Sequence, residues 1–431
     1  MSEAPTRGAP GPESGATSAS PPAPARHPAE LQIVLLIAGV QFVNILDFVM
    51  VSPLGPELAE QLAIPTSHLG FVGGSYTAAA AVSGLAGAFV LDRFDRRPAL
   101  TLCMIGLVLG TAAGALATGF GTLLAARVLA GFFGGPATSL ALSVISDIIP
   151  AERRGRAMGA VMAAFSVASV LGVPAGLVLA QLGGWRLPFV GVAALGAVAA
   201  LAIWLVLPSM TGHQRSAPTT SPLAAMLDLV RRPTVVLSYA MTVTTTMGAF
   251  ALIPNLAAYF QYNLHFPRQD LWILYGIGGV TSFAAVRLFG FAVDRVGAFH
   301  VGLVGSVVLA AVLYLGYVSD PPAIPILVMF VGFMLAMSTR NVAYQTLTSR
   351  VPNPDERAQF MSLQSALQHV ASAIGAFASS QVLSERADHS LVGLQAVALF
   401  SLVLTATLPL FMWLVERRLR APSVAAAVRT F

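Results

Sequence analysis

Asp47, Arg127, Arg287 and Arg340 each interrupt a long run of apolar residues. An ionised group at membrane depth is costly unless it is paired, so such residues mark proton relays, ion paths or substrate contacts. Asp47 stands about two-thirds along the first run, in Asn44-Ile-Leu-Asp47-Phe, and Arg127 lies about two turns from one end of the fourth. At about 1.5 Å per residue, the two fall within roughly 5 Å of the same depth. Burial raises a carboxyl pKa and a neighbouring cation lowers it. An acid held between those pulls can take up and release a proton. The spacing predicts proton coupling through Asp47 and Arg127; the competing expectation is a permanent ion pair between packed helices.

Arg340 sits deep in the tenth run beside the polar Asn341 and Gln345. It is expected to contact an anionic or polar group of a substrate, or else backbone carbonyls at the inner gate. Asn44, Asn255, Tyr259 and Gln345 are expected to line a cavity by helix membership. Arg287, seven residues before Asp294, can snorkel to the surface. Gln364 and Gln368 share a helix face. His369 could titrate near neutral pH, though a packing role is the simpler expectation. Nothing points to a catalytic residue, a metal site or a cofactor.

Residues at such depth need elements that span a bilayer, about 20 apolar residues each. Twelve runs qualify, at about 31–56, 68–91, 98–119, 121–148, 157–182, 187–208, 234–262, 269–293, 297–318, 323–349, 358–384 and 390–415. They are continuous and rich in Gly, Ala, Val and Leu, which suits packed helices and not the alternation of barrel strands. The expected fold is all-α and integral to the membrane, with twelve transmembrane helices in two pseudo-symmetric six-helix bundles. The expected divisions are a disordered cytoplasmic tail at 1–29, a bundle at 30–208, a cytoplasmic linker at 209–233, a second bundle at 234–416 and a cytoplasmic tail at 417–431.

Composition agrees with this. The 431 residues are 56% hydrophobic and 10% charged, against about a quarter charged in soluble domains. All 24 basic residues are arginine. Without lysine there is no Walker A loop and no Schiff-base chemistry. The single cysteine, Cys103, permits no disulfide within the chain. The net charge of +5 comes from arginines in short loops, which suits membrane topology better than a nucleic-acid footprint. With the N-terminus in the cytoplasm, eighteen loop and tail arginines lie inside, and only Arg186, Arg268 and Arg386 outside. Both termini are thus expected to be cytoplasmic, in the inner membrane of the cell.

The chain repeats itself. Pro53 matches Pro254 at an offset of 201, Asp92-Arg93 matches Asp294-Arg295 at 202, and Glu152-Arg-Arg154 matches Asp355-Glu-Arg357 at 203. The first charged hairpin reads Gly87-Ala-Phe-Val-Leu-Asp92-Arg93-Phe-Asp95-Arg96-Arg97 and the second Gly290-Phe-Ala-Val-Asp294-Arg295-Val-Gly297. A duplicated bundle with such hairpins is the layout of a two-fold secondary transporter.

On these residues the chain resembles the major facilitator superfamily, and within it the twelve-span drug:proton antiporters and the arabinose-efflux-like permeases. The family hairpin reads roughly G-x-x-x-D-R-x-G-R-R. The first copy supplies Asp92, Arg93, Arg96 and Arg97, with Ala88 and Asp95 at the two glycine positions. The second keeps Gly290 and Gly297 but has Ala298 in place of Arg. Leu124-Ala-Ala-Arg127-Val-Leu-Ala-Gly131 resembles the family's buried arginine followed by glycine. Leu171-Gly172-Val-Pro174-Ala-Gly176 is similar to the antiporter bend, with one residue between Gly172 and Pro174. The resemblance implies a central cavity lined by the first, fourth, seventh and tenth spans. It implies an inner gate latch at Asp92, Arg93, Arg96, Arg97, Asp294 and Arg295, and a helix bend at Gly172, Pro174 and Gly176.

The expectation is therefore a monomeric transporter in the lipid bilayer, exporting small amphipathic or polar molecules in exchange for protons. Import of a sugar or organic anion is the alternative. A receptor without transport, or an intramembrane enzyme, is disfavoured by the absent catalytic motifs.

Overall fold

The computed structural model describes residues 28–91, 94–210, 222–353 and 356–420. Asp92, Arg93 and Asp355, and most of both tails, fall outside the described residues. Eleven segments of the described residues are helical, long and apolar enough to cross a membrane. They are α1 (Glu30–Val49), α2 (Thr66–Gly87), α3 (Arg96–Ala115), α4 (Phe120–Ile148), α5 (Arg153–Gly183), α6 (Arg186–Val206), α7 (Pro233–Asn263), α8 (Arg268–Val296), α9 (Ala298–Val318), α10 (Ile326–Thr348) and α12 (Leu394–Arg420). The helix between the last two, α11 (Arg357–Val382), has 26 residues but carries Gln359, Gln364, Gln368, His369 and a series of serines. It is long enough to span, and its polarity sets it apart. Large apolar side chains such as Leu109, Val198, Leu205, Leu288 and Val307 are left exposed around the bundle. A lipid environment covers them; water would not tolerate so broad an apolar surface.

The packing has two-fold order. In the first half α2 and α3 pack on α4, α3 on α6, and α1 on α5 and α6; in the second half α8 and α9 pack on α10, α9 on α12, and α7 on α11 and α12. Each pair is the other shifted by six helices. Between halves, α2 packs on α11 and α8 on α5, again exchanged by the same operation. A ten-residue helix, Pro222–Arg231, lies inside the segment expected only to link the halves.

The repeated prolines break the repeated helices. The chain leaves helical geometry after Val49, around Pro53, and re-forms a short helix at Gly55–Leu62. In α7 the ladder tightens to a 3-10 turn at Ile253–Asn255, around Pro254, and ends in a π turn at Tyr259–Asn263. Proline removes a backbone donor and clashes with the preceding turn. The two breaks touch: the Ser52 hydroxyl donates to the Ile253 carbonyl at 2.6 Å.

That contact belongs to a closed end of the molecule, remote from the start of α1 and the end of α12. There Arg268 of α8 pairs with Glu57 at 2.6 Å, and Tyr262 donates to the Pro56 carbonyl at 3.3 Å. Gln181 reaches the Gln269 carbonyl at 3.1 Å. A small hairpin, β1 (Ser384–Glu385) paired antiparallel with β2 (Leu391–Val392), docks on α2, with Glu385 accepting from the Thr66 amide at 2.8 Å. A β-carbon at Gly279 would lie 2.6 Å from the Ser169 carbonyl oxygen, and one at Gly70 would collide with the Ala376 carbonyl. At the opposite end, β-carbons at Gly84, Gly155, Gly159 and Gly290 would meet nothing within 4 Å. Among the described residues, the polar contacts named between the halves lie at this closed end, and these four glycines leave open space at the other.

Candidate functional site

Asp47 and Arg127 meet in the first half. Arg127 donates from one terminal nitrogen to both carboxylate oxygens, at 3.1 and 3.0 Å, and from the other to the Asp47 carbonyl at 3.2 Å. Their side chains are 0% and 1% exposed. The Thr111 hydroxyl of α3 donates to the same carboxylate at 2.7 Å. The Arg127 guanidinium lies over the Tyr76 ring, 4.6 Å from its centroid, a cation–π contact that strengthens when water is excluded.

Glycine makes this possible. A β-carbon at Gly131 or Gly134 of α4 would strike the backbone or hydroxyl of Tyr76, and one at Gly135 would lie 2.5 Å from the Ala80 carbonyl. Close approach of α2 to α4 brings the tyrosine over the arginine. Tyr76 then donates to Asn44 Oδ1 at 2.6 Å, while Asn44 Nδ2 donates to the Gly134 carbonyl at 2.8 Å and to Thr138 Oγ1 at 2.7 Å. Asn44 and Asp47, one turn apart on α1, are thus held by one network over four helices. Phe48 stacks on Tyr76 and on Phe250 of α7, with centroids 5.3 and 5.6 Å apart, and so carries the network to the second half.

Arg340 of α10 is placed differently. It is 2% exposed, and among the described residues its hydrogen-bond contact is the Met337 sulfur at 3.8 Å; its Nε has no partner. It forms no ion pair with Asp47. Asn341, its neighbour, is exposed, while Gln345 donates to the Tyr344 hydroxyl at 3.3 Å. Asn255 is buried and donates to the Ala251 carbonyl and Ser379 Oγ, both at 3.2 Å, with its Oδ1 unpartnered. Tyr259 packs in an aromatic cluster, 5.8 Å from the Tyr317 ring.

At the bend, residues Ala168–Gly172 form a π-helical turn just before Pro174. Gly172 abuts Leu46 and Gly176 abuts Met50, so the bend seats on α1 beside Asp47, and a β-carbon at Gly276 would sit 3.7 Å from Pro174. Both a π turn and a proline deflect a helix. Gln364 donates to Thr242 Oγ1 at 3.3 Å. Arg287 lies over Phe283 at 5.6 Å and is exposed.

The described residues of the charged hairpins lie at the end opposite that closure. Arg96 pairs with Asp147 of α4 at 3.2 Å, and Arg97 lies over the Trp204 ring at 4.6 Å. Asp294 and Arg295 are exposed, with Arg295 over Phe291 at 4.1 Å. The departure at Asp95 has a local explanation. Its backbone has φ −59°, which needs no glycine, and it caps α3 by accepting from the Arg97 amide at 3.0 Å. It also accepts from the Ser209 hydroxyl and, at 2.9 Å, from the Met210 amide. Partial burial pushes its pKa up, but these donors outweigh burial and leave it below the usual carboxylate range. Gly297 in the second hairpin has φ +90°, where glycine is favoured.

Sequence reasoning missed Tyr76, Thr111 and Thr138, which complete the Asp47–Arg127 network. It also missed Asp147 as the partner of Arg96, and the Glu57–Arg268 pair. A hydroxyl at mid-depth in an apolar run, as at Thr111, is the available signal. Glu57 gave none, since end-of-helix carboxylates are commonplace.

A two-fold helical bundle, closed at one end, with a charge pair at its core, defines a multi-pass membrane transporter for a small molecule and not an enzyme. The family model described as Major Facilitator Superfamily matches residues 37–376, and the chain belongs to that family. It is 27% identical over 327 residues to a chloramphenicol resistance protein of Streptomyces lividans, covering 74% of this chain and 80% of that protein. The fold is similar to an inward-facing, unoccupied bacterial homolog of the human lysosomal transporter Spinster, with TM-score 0.70 and 18% identity over 93% of this chain and 100% of that one. A D-xylose–proton symporter aligns with TM-score 0.75 and 17% identity, over 89% of this chain and 97% of the other.

Proposed function

We propose that the protein is a proton-coupled exporter of small amphipathic or polar molecules, working by alternating access as a monomer in the cell's inner membrane. The observation that carries this reading is the Asp47–Arg127 pair, buried and joined by four helices' worth of hydrogen bonds. A buried pair is poised because removing either charge leaves the other uncompensated. Protonation of Asp47 releases Arg127, and the bend at Gly172, Pro174 and Gly176 seated on α1 transmits the change to the α5–α8 crossing. The likeness to a chloramphenicol resistance protein supports efflux over uptake.

Arginine placement supports cytoplasmic termini, with halves at 30–208 and 234–416, a linker at 209–233 and tails at either end. The open end then faces the cytoplasm, where substrate enters. In that orientation the hairpins of Arg96, Arg97, Asp294 and Arg295 act as inner gate latches, together with Asp92 and Arg93, and Asn44, Asn255, Tyr259, Asn341 and Gln345 contribute to the substrate path. Inverted vesicles test the direction. An imposed gradient, acid inside, is expected to drive accumulation of substrate in the vesicle lumen; expulsion from the lumen down the same gradient would establish symport instead.

A further inference from the structure

We propose that Arg340 is a binding site for a carboxylate, and that the molecule this protein moves is an amphipathic organic monoanion whose carboxylate seats there. This rests on the export reading above and adds the substrate class.

Arg340 lies eight residues from the end of α10 at Thr348, about 12 Å along the axis. That is beyond the reach of its own side chain, so it cannot snorkel to the surface. A guanidinium does not lose its proton in a protein, and a thioether such as Met337 is a weak acceptor. The charge is therefore buried, permanent and, among the described residues, without a carboxylate partner. Arg127 at equal burial has Asp47, Thr111 and Tyr76 around it. The first half neutralises its arginine with its own chain. The second half leaves that task to something that comes and goes.

Two neighbours set the geometry around the guanidinium. Gly305 of α9 packs against the arginine stem, and a β-carbon there would lie 2.9 Å from Arg340 Cγ. The stem is thereby held and the fork fixed in place. Tyr344, one turn further on, is buried on the same face and accepts from Gln345 at 3.3 Å. Its own proton stays available to a second acceptor. A fork of parallel N–H donors matches a carboxylate in two bonds. One guanidinium balances one negative charge, whereas a dianion would carry an unmatched charge into an apolar interior.

The test is thermal unfolding of the purified full chain in mild detergent. The probes are 1-naphthaleneacetate, its neutral amide, inorganic phosphate and phosphatidylglycerol. A ligand that binds only the folded protein raises the midpoint in a saturable way. The naphthaleneacetate anion is expected to do so and the amide is not. Arg340→Gln is expected to weaken the anion's apparent affinity about 10- to 100-fold, the worth of a charge-assisted contact. Arg340→Lys keeps the charge but loses the fork, and should fall between. Equal stabilisation by acid and amide, no stabilisation by the acid, or stabilisation by phosphate or phosphatidylglycerol in its place would each overturn the site. The acid–amide comparison needs only the wild-type chain, so it stands even if the variants fail to fold. In proteoliposomes the two proposals separate. Gradient-driven movement of the amide without acid binding removes the anion site and leaves export. Acid binding without any gradient-driven movement removes export and leaves the site.

Discussion

Arg127 and Arg340 are buried to the same degree on related helices, α4 and α10, and each leaves its Nε unpartnered, yet among the described residues one has a carboxylate against it and the other does not. On the function proposed above, the difference means that the two halves divide the work of a transporter. A cation paired with a carboxylate of its own chain can respond to a proton. A cation with no such partner can respond to an anion brought from outside. Sequence symmetry relates the helices, and it does not relate the chemistry they carry.

The largest effects should come from breaking that asymmetry directly. Arg127→Met strands a buried carboxylate and is expected to destabilise the protein by about 3–5 kcal/mol. Arg340→Met removes a charge that has no carboxylate partner among the described residues, and should be neutral or stabilising in the absence of substrate. Unfolding of both variants in detergent, side by side, checks this; equal losses would erase the distinction between the halves. Asp47→Asn in the Arg127→Met background should recover part of the first loss.

A second contrast, between the shut and parted ends, gives the next effects. Gly279→Val forces a branched side chain against the Ser169 carbonyl. Overpacking of this kind costs about 1–3 kcal/mol, enough to shift the population toward the form open at the end where Gly279 sits by about tenfold. Gly290→Ala, where a β-carbon meets nothing within 4 Å, should leave the population unchanged. Thiol accessibility of single cysteines at each end reads the difference, and equal shifts would contradict a closed α5–α8 crossing.

Smaller still is the contribution of the latch between Arg268 and Glu57. Glu57 is 6% exposed but its arginine partner is 46% exposed, so water that reaches the pair screens it and holds its worth to about 1 kcal/mol. Arg268→Ala should shift the same accessibility by less than about fivefold; a larger shift would make this pair the main seal.

The smallest effect is local. Asp95 has a lowered pKa in the folded chain, so its clasp on Ser209 and Met210 contributes fully above the unfolded carboxyl value. It is lost as pH falls through the lower, folded value. Amide exchange at Met210 should quicken in Asp95→Ala at neutral pH, and in the wild type only under strongly acidic conditions. Unchanged exchange in the variant would remove the clasp.

Much of this was legible in the sequence because membrane proteins write depth in residue spacing. The rise per residue brings Asp47 and Arg127 to one level, and near-constant offsets, as between Pro53 and Pro254 and between Asp92 and Asp294, expose the repeat. Both signals are one-dimensional. Lateral partners were not legible: nothing along the chain says that Tyr76 faces Arg127, because that depends on how closely α2 approaches α4 over Gly131 and Gly134. The first span, expected to run to residue 56, stops at Val49 because the chain turns around Pro53. Depth and the polar neighbours Asn341 and Gln345 mark Arg340 as a cavity residue; that it has no carboxylate partner among the described residues appears only once its neighbours are in place.

The most direct measurement compares Asp47→Asn with the wild type in proteoliposomes, as substrate exchange without a gradient and as uphill movement under an imposed pH gradient. If Asp47 is the proton carrier, exchange persists in the variant while gradient-driven accumulation disappears. Accumulation by the variant at the wild-type level would contradict it.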